Sequence, residues 1–130
     1  MRFDVTTEDC VAARDVTSTV RDAVPDDCER GVCTVFVPHT TAGVVVNEGE
    51  SGLLGDVEQA LENLVPADEG YEHDRVDDNA DAHLRAMLLG ESATVPVEGG
   101  DLALGTWQSV LFVECDGPRT RTLDVTVTEA

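Results

Sequence analysis

The sequence contains no lysine: all eight basic residues are arginine, against 27 aspartates and glutamates, which gives a formal net charge of −19 over 130 residues. A surface this acidic repels the polyanionic backbone of nucleic acids, so nucleic-acid binding is disfavoured. The same acidic surface would repel itself at ordinary ionic strength. Salt screens this self-repulsion, and we therefore expect a protein of a salt-rich cytoplasm. An acidic mimic of nucleic acid is the alternative, although the acids are scattered along the chain rather than gathered in one block.

Long apolar runs are missing as well. No stretch approaches the roughly 20 residues that cross a bilayer as a helix. The first ten residues, MRFDVTTEDC, lack the apolar segment of a secretory signal. We therefore expect a cytoplasmic protein with no membrane partner. The four cysteines, at positions 10, 28, 33 and 115, match no zinc spacing, and we expect them to be buried, reduced thiols.

Hydrophobic residues make up 42% of the chain, enough for one core and one domain over residues 1–130. Alternating and β-branched segments predict strands at about 2–8, 32–37, 42–46, 93–97, 101–104, 107–115 and 120–128. Apolar residues at helical spacing predict helices that begin near Thr17, Ser51 and Asn79, each of which could cap its helix. Strands flank these helices instead of alternating with them, which favours an α+β fold with mixed or antiparallel sheets. Residues 107–128 are expected to form one long antiparallel hairpin.

The stretch VFVPHTTAGVVVNEGE, Val35 to Glu50, interrupts two apolar runs with polar residues. Pro38 cannot donate a ladder hydrogen bond, and Gly43 permits a close backbone approach or a bulge, so the chain is expected to change direction there. The interruption would present His39, with Thr40 and Thr41, at a strand end. The second run closes on Asn47 and Glu48, and Glu48 is expected to project from the end of its strand.

The chain has three histidines, at positions 39, 73 and 83, each beside polar residues in a loop or at an element boundary. Taken singly, each is typical of a structural histidine. As a set, and with carboxylates such as Glu48 nearby, they would suit zinc or another divalent ion. No spacing matches a metal motif, so both interpretations stay open. Asn79 and His83 are four residues apart and would share one side of a helix, with a capping role for Asn79 as the alternative.

Arg119 and Arg121 flank Thr120 in the segment DGPRTRTL. Strand alternation would point both guanidinium groups to one face, where their planar forks suit phosphate. Salt bridges to the many acids are the alternative. Trp107, the single tryptophan, is expected in the core or at a subunit interface, and Gln108 would face the opposite way.

Several of these segments together resemble the YjbQ-like family: HTTAGVVVNE (39–48), NADAHLRAMLLG (79–90), GTWQSVLFVECDGPRTR (105–121), and the helix with Asp56 followed by a loop with His73. That family includes secondary thiamine-phosphate synthases, which join hydroxymethylpyrimidine diphosphate to thiazole phosphate and release diphosphate. The resemblance implies a compact α+β subunit that assembles as a homotrimer with sites near subunit boundaries.

The resemblance also implies roles for single residues. Catalysis would involve His39, Glu48 and His83. Binding of the phosphorylated substrate would involve Thr40, Thr41, Asn47, Asn79, Gln108, Arg119 and Arg121. A divalent ion, either Mg²⁺ or Zn²⁺, would be held by His39, His73 and His83. The alternative is a metal- or phosphate-binding trimeric module with a different physiological ligand.

Overall fold

A computed structural model describes all 130 residues, 1–130, of the chain. It contains eight strands: β1 (Arg2–Thr7), β2 (Ala12–Asp15), β3 (Arg30–Phe36), β4 (Ala42–Asn47), β5 (Ser92–Glu98), β6 (Asp101–Leu102), β7 (Ser109–Glu114) and β8 (Arg119–Glu129). It contains three α-helices: α1 (Thr17–Arg21), α2 (Ser51–Leu64) and α3 (Ala80–Leu89). A short 3₁₀ turn, Glu72–Arg75, precedes α3.

The strands form two antiparallel sheets. Sheet A has five strands in the order β1-β8-β3-β5-β6, and sheet B has three in the order β2-β7-β4. The predicted α+β class with antiparallel sheets is therefore confirmed. None of the helices is both long and apolar enough to cross a membrane.

Sheet B lies in the middle of the molecule, because its central strand β7 is covered on both faces. Phe112 of β7 belongs to the larger core, together with Leu123 and Val125 of sheet A. The next residue, Val113, belongs to a second core with Leu61 of α2. Since successive side chains of a strand point to opposite faces, sheet B lies between sheet A and a layer formed by α2 and α3, whereas Val20 of α1 belongs to the larger core.

The predicted hairpin over residues 107–128 is wrong. Strands β7 and β8 lie in different sheets, and the segment between them carries the chain from one layer to the other. The partners of β7 are β2 and β4, whereas those of β8 are β1 and β3. Each of the two strands is thus paired along both edges with strands that are distant in the sequence. The turn residues between β7 and β8 carry no information about those partners. Strand β2 was not predicted at all.

The predicted helix caps are also corrected. Helix α2 is capped by Glu50 and not by Ser51: the Glu50 carboxylate accepts the backbone N–H groups of Gly52 and Leu53, at 2.9 and 2.6 Å. These two bonds lower the pKa of Glu50. Thr17 does not cap α1, because its hydroxyl donates to Asp15 and accepts the Val110 N–H.

Gly43 allows the close backbone approach that its position suggested. A Cβ at this residue would lie 2.7 Å from the Gly90 carbonyl oxygen and 2.7 Å from the Leu89 Cβ. The Val44 N–H donates to the same Gly90 carbonyl at 3.1 Å. The end of α3 is therefore held directly against β4, and this contact brings α3 and its histidine to the start of β4.

Candidate functional site

His39 replaces a missing strand partner. Strand β3 pairs with β8 as far as Phe36, opposite Asp124. Continuing that register would place Pro38 opposite Thr122, but the strand has already ended. The backbone N–H of Thr122 donates instead to Nε2 of His39, at 3.0 Å. The histidine ring thus satisfies a backbone donor that the proline-containing segment leaves without a ladder partner.

This hydrogen bond determines the tautomer of His39. Because Nε2 accepts an N–H, it carries no proton, and the proton of the neutral ring is on Nδ1. Burial and the nearby Arg121 guanidinium lower the pKa of His39 below its usual value. His39 is therefore a neutral ring that can donate a hydrogen bond through Nδ1, and its Nε2 lone pair is not free for a metal ion.

Arg121 lies in an ion pair beneath this segment. Its Nε donates to Glu114 Oε1 at 2.7 Å and its Nη2 to Glu114 Oε2 at 2.6 Å. Nη2 also donates to the Thr41 hydroxyl at 2.6 Å. Arg121 is only 8% exposed and Glu114 is fully buried. The salt-bridge interpretation therefore applies to Arg121, and the Thr41 hydroxyl accepts a hydrogen bond from the same guanidinium. Arg121 also lines a cavity of about 540 Å³ with His39 and Thr40, so its role in binding phosphate stays a prediction.

A second hydrogen-bonded chain runs from β8 to the 3₁₀ turn. The carboxylate of Asp116 accepts Arg119 Nη2 and Asn79 Nδ2, each at 3.0 Å. Since the Asn79 amide nitrogen donates to a carboxylate, its Oδ1 faces His73 Nε2, 3.2 Å away. His73 must then be the donor, which leaves its Nδ1 as an acceptor in the neutral ring. Asn79 stands at the start of α3 without capping it.

The rings of His73 and His83 meet edge to face, with centroids 4.7 Å apart. His83 also lines a cavity of about 230 Å³ together with His39, Thr40, Met87 and Glu91. A neighbouring cavity of about 370 Å³ shares two of these side chains and is otherwise lined by Tyr71, His73, Ala80 and Leu84. All three histidines thus lie along one groove, and we call this region the histidine end.

The remaining predicted residues lie elsewhere. Strand β4 begins beside Thr41 at the histidine end and finishes at Asn47, which is paired with Ser109. Five residue steps at ~3.4 Å each place Asn47 and Glu48 about 17 Å away along the strand. Gln108 precedes Ser109 and therefore belongs with them. We call Asn47, Glu48 and Gln108 the glutamate end, and the expected contact of Glu48 with the histidines is not made within one chain.

The predicted three-histidine metal group is not formed within one chain either. No three His, Cys, Asp or Glu side chains are arranged to hold a metal ion, and Nε2 of His39 already accepts a backbone N–H. The donor set of the single chain therefore does not fit a resident zinc or magnesium ion.

Trp107 is 74% exposed, so the core interpretation of this residue is wrong. Asp56 is exposed on α2, in line with a solvated role. Three cysteines are buried as predicted, but Cys10 is exposed, and all four are free. Burial raises the pKa of Cys115 to about 12.

Sequence reasoning missed Glu114 and Asp116. The signal was present, because Glu114 follows the apolar run VLFV and two arginines come soon after it. A carboxylate that ends a fully apolar strand near arginines is a candidate for a buried ion pair. Among 27 acids, it did not stand out.

The two antiparallel sheets, the helical layer and the histidine-lined groove define a compact α+β protein with a polar site at one end of the sheets. The chain matches the family model described as UPF0047 protein YjbQ-like over residues 1–130. It belongs to this family, which confirms the resemblance.

Relatives cover most of the chain. It is 53% identical to a UPF0047 protein of Archaeoglobus fulgidus over 121 residues, 93% of this chain and 94% of that protein. A UPF0047 protein of Mycobacterium tuberculosis is 41% identical over 125 residues, 92% of each chain.

Solved structures agree on the fold. A hypothetical protein of Aeropyrum pernix superposes with a TM-score of 0.95 at 41% identity, over 100% of this chain and 98% of that one. A YbjQ-like protein of unknown function from Sulfolobus solfataricus superposes with a TM-score of 0.92 at 34% identity, over 100% and 96%.

Proposed function

We propose that this protein is a thiamine-phosphate synthase-like transferase, with this reaction as a secondary activity. It would join hydroxymethylpyrimidine diphosphate to thiazole phosphate and release diphosphate. The observation that supports the proposal is the groove of the histidine end, where His39 and His83 line one cavity. Two imidazole rings then face the same small space, where a ring N–H could donate to the oxygens of a leaving diphosphate.

In this reaction the lone pair of the thiazole ring nitrogen forms the new C–N bond to the pyrimidine methylene carbon, the C–O bond to diphosphate breaks, and the leaving diphosphate takes that electron pair, so negative charge develops on its oxygens. Groups that donate to those oxygens would stabilise the transition state. His39 can donate through Nδ1–H, and the Thr40 hydroxyl lines the same cavity. Two cations lie nearby, and each is already paired: Arg119 with Asp116, its side chain 50% exposed, and Arg121 with the buried Glu114, although Arg121 also lines a cavity beside His39.

The direct test supplies both half-substrates and Mg²⁺ to the purified protein in high salt. We expect thiamine phosphate to form, and His83→Ala to reduce the rate by about 100-fold, the lower range for the loss of one hydrogen-bond donor to developing negative charge. Gln59→Ala is the matched control, since Gln59 is exposed on α2 and bonds only to Asn63. Absence of thiamine phosphate with the wild-type protein would rule out the proposed reaction.

We also propose a homotrimer in which the histidine end of one copy faces the glutamate end of the next. The separation of about 17 Å along β4 supports this assembly, because Glu48 and His83 can act on one substrate only if they come from two chains. Exposed apolar residues occur at both ends: Trp107 near Gln108, and Met87 beside His83. A head-to-tail contact of two different surfaces can close into a ring.

Complementation tests this assembly. Glu48→Gln and His83→Ala chains are produced separately and then in one cell. If the site lies between copies, about one quarter of the boundaries in randomly mixed trimers carry both native residues, and activity returns. If activity stays absent in the mixture, the shared site is wrong. Light scattering in high salt gives the mass, and a monomer would contradict the trimer.

A divalent ion is proposed to enter with the diphosphate of the substrate, since Mg²⁺ prefers phosphate oxygens and retains water. Metal analysis of the substrate-free protein is then expected to show no stoichiometric metal. A bound equivalent of zinc that is lost in His73→Ala with His83→Ala would overturn this expectation.

The second candidate function is a phosphate-binding trimeric module with another physiological ligand. The half-exposed guanidinium of Arg119 favours it, because this group could hold an anion without any chemistry. Calorimetry with diphosphate separates the candidates: binding that Arg119→Gln weakens, without turnover of the half-substrates, supports the module. No binding of diphosphate argues against both.

A further inference from the structure

We propose that the buried Glu114–Arg121 ion pair is a positioning device that orients His39 and His73 through two separate arms of hydrogen bonds. Glu114 has no exposed surface and would touch no ligand, whereas Arg121 also lines a cavity beside His39. This inference concerns the preparation of the histidine end, and it does not depend on which reaction or ligand the groove serves.

The pair itself is buried, and both oxygens of the Glu114 carboxylate accept hydrogen bonds from the Arg121 guanidinium. Both guanidinium–carboxylate bonds are short, at 2.7 and 2.6 Å, and Glu114 has no exposed surface. A buried ion pair is a poor source of stability compared with apolar packing, because both charges lose their hydration. No buried side-chain nitrogen or oxygen atom lacks a hydrogen-bond partner. Two well-packed apolar residues could fill this space, so a pair in this position indicates a role in specifying geometry.

The first arm leads from Arg121 to His39. The second N–H of Arg121 Nη2 donates to the Thr41 hydroxyl at 2.6 Å, and the Thr41 carbonyl accepts the Cys115 N–H at 3.0 Å. These bonds hold the segment that contains His39 between β7 and β8. There the N–H of Thr122, the neighbour of Arg121 on β8, reaches Nε2 of His39. The arm therefore sets the place of the ring, and in that place the Thr122 N–H selects its tautomer.

The second arm leads from Glu114 to His73. Glu114 Oε2 accepts the backbone N–H of Asp116 at 2.9 Å, which fixes the residue whose carboxylate receives the Asn79 amide. The Asn79 orientation in turn requires His73 to donate through Nε2. Both arms begin at the same buried carboxylate and guanidinium, and they end at the two histidines on either side of His83.

The two arms select opposite tautomers. His39 carries its proton on Nδ1, whereas His73 carries its proton on Nε2 and presents Nδ1 as an acceptor. In solution the two tautomers of a free imidazole interconvert readily, so each ring would otherwise present a mixture. The pair thus prepares one donor and one acceptor in the groove before any ligand arrives.

Nitrogen-15 NMR of the imidazole rings, recorded well above the usual pKa of histidine, tests this proposal because it distinguishes the tautomers directly. Thr41→Val removes the first arm and should convert only the His39 signals to averaged values. Asp116→Ala removes the acceptor for Asn79 and should change only His73. Asp101→Ala, which breaks the exposed Arg21–Asp101 bridge, is the matched control and should change neither.

Glu114→Gln should alter both rings at once, since the neutral amide weakens its bonds to Arg121 and offers no second acceptor to Asp116. Glu114→Asp, which retains the charge, should restore part of the native signals. If Glu114→Gln folds and both rings keep the wild-type tautomers, the proposal is wrong. If that variant does not fold, the two single-arm variants decide: unchanged signals in both would equally refute it.

Discussion

Thr122 donates its backbone N–H to Nε2 of His39 at 3.0 Å, in the place where β3 no longer supplies a partner. Burial, and then the Arg121 charge, lower the pKa of this histidine in the folded state. The unfolded chain therefore binds a proton first as the pH falls, and the free energy of unfolding should decrease below pH about 6.5 until the folded-state pKa is reached. Above that window the stabilisation is complete.

Denaturant unfolding at a series of pH values measures this effect. His39→Gln is the control, because the glutamine carbonyl can still accept the Thr122 N–H but does not titrate. We expect its pH dependence in this window to be smaller than that of the wild type. Identical curves would show that His39 is not the titrating group. An NMR titration of the His39 C2 proton gives the pKa independently.

Gly43 should not tolerate a side chain. Its added Cβ would meet a backbone oxygen and a Cβ, each at 2.7 Å, and neither can move without displacing the end of α3. We expect Gly43→Ala to lower the free energy of unfolding by about 2 kcal/mol or more. Gly55→Ala on α2 is the matched control, since nothing lies within 4 Å of its Cβ position, and it should stabilise the protein by up to about 1 kcal/mol. Equal effects of both changes would contradict the close contact.

Arg85 joins the two long helices. Its Nε and Nη2 donate to the Val65 carbonyl at 3.1 and 2.7 Å, at the end of α2, and its Nη1 lies 3.0 Å from Asp81 on α3. Arg85→Leu should cost about 3 kcal/mol, because it leaves a carbonyl and a partly buried carboxylate without their partner. The exposed Arg2–Asp124 pair provides the comparison, and Arg2→Ala should change the free energy of unfolding by less than about 1 kcal/mol. Chemical denaturation measures both, and an Arg85→Leu loss no larger than that of Arg2→Ala would refute this role.

Salt should stabilise this chain. A net charge of −19 makes the folded surface repel itself, and at 1 M ionic strength the screening length is only about 3 Å. We expect the free energy of unfolding to rise steeply with KCl at low concentration and then to level off. Sucrose is the control, because it favours burial without screening charge. A response to KCl that is no larger than the response to sucrose would contradict the electrostatic origin.

Much of the fold is predictable from local pattern. The β-branched and alternating runs predicted seven of the eight strands, and the leucine spacing after Ser51 predicted α2, because burial on one face imposes a period on the sequence. Strand β2 was missed because it has only four residues, AARD, without β-branched or alternating side chains. Its pairing with β7 stabilises it instead. The residues that cap the helices were not predicted correctly either, because any side-chain oxygen near the start of a helix can accept its free N–H groups.

For the candidate site, too, some features follow from the sequence and others only from the tertiary structure. Sequence by itself determined which residue types are available: three histidines, two neighbouring arginines and an acidic, lysine-free surface. It also indicated the break at Pro38, since proline cannot donate to a ladder. Only the tertiary structure decided that Arg121 forms a buried ion pair with Glu114 and that Asn79 bridges Asp116 and His73. It also decided that Glu48 lies at the far end of β4 from the histidines. The physical reason is that pairing between strands distant in the sequence sets which charges are buried together, and a buried charge takes the nearest partner, whatever its position along the chain.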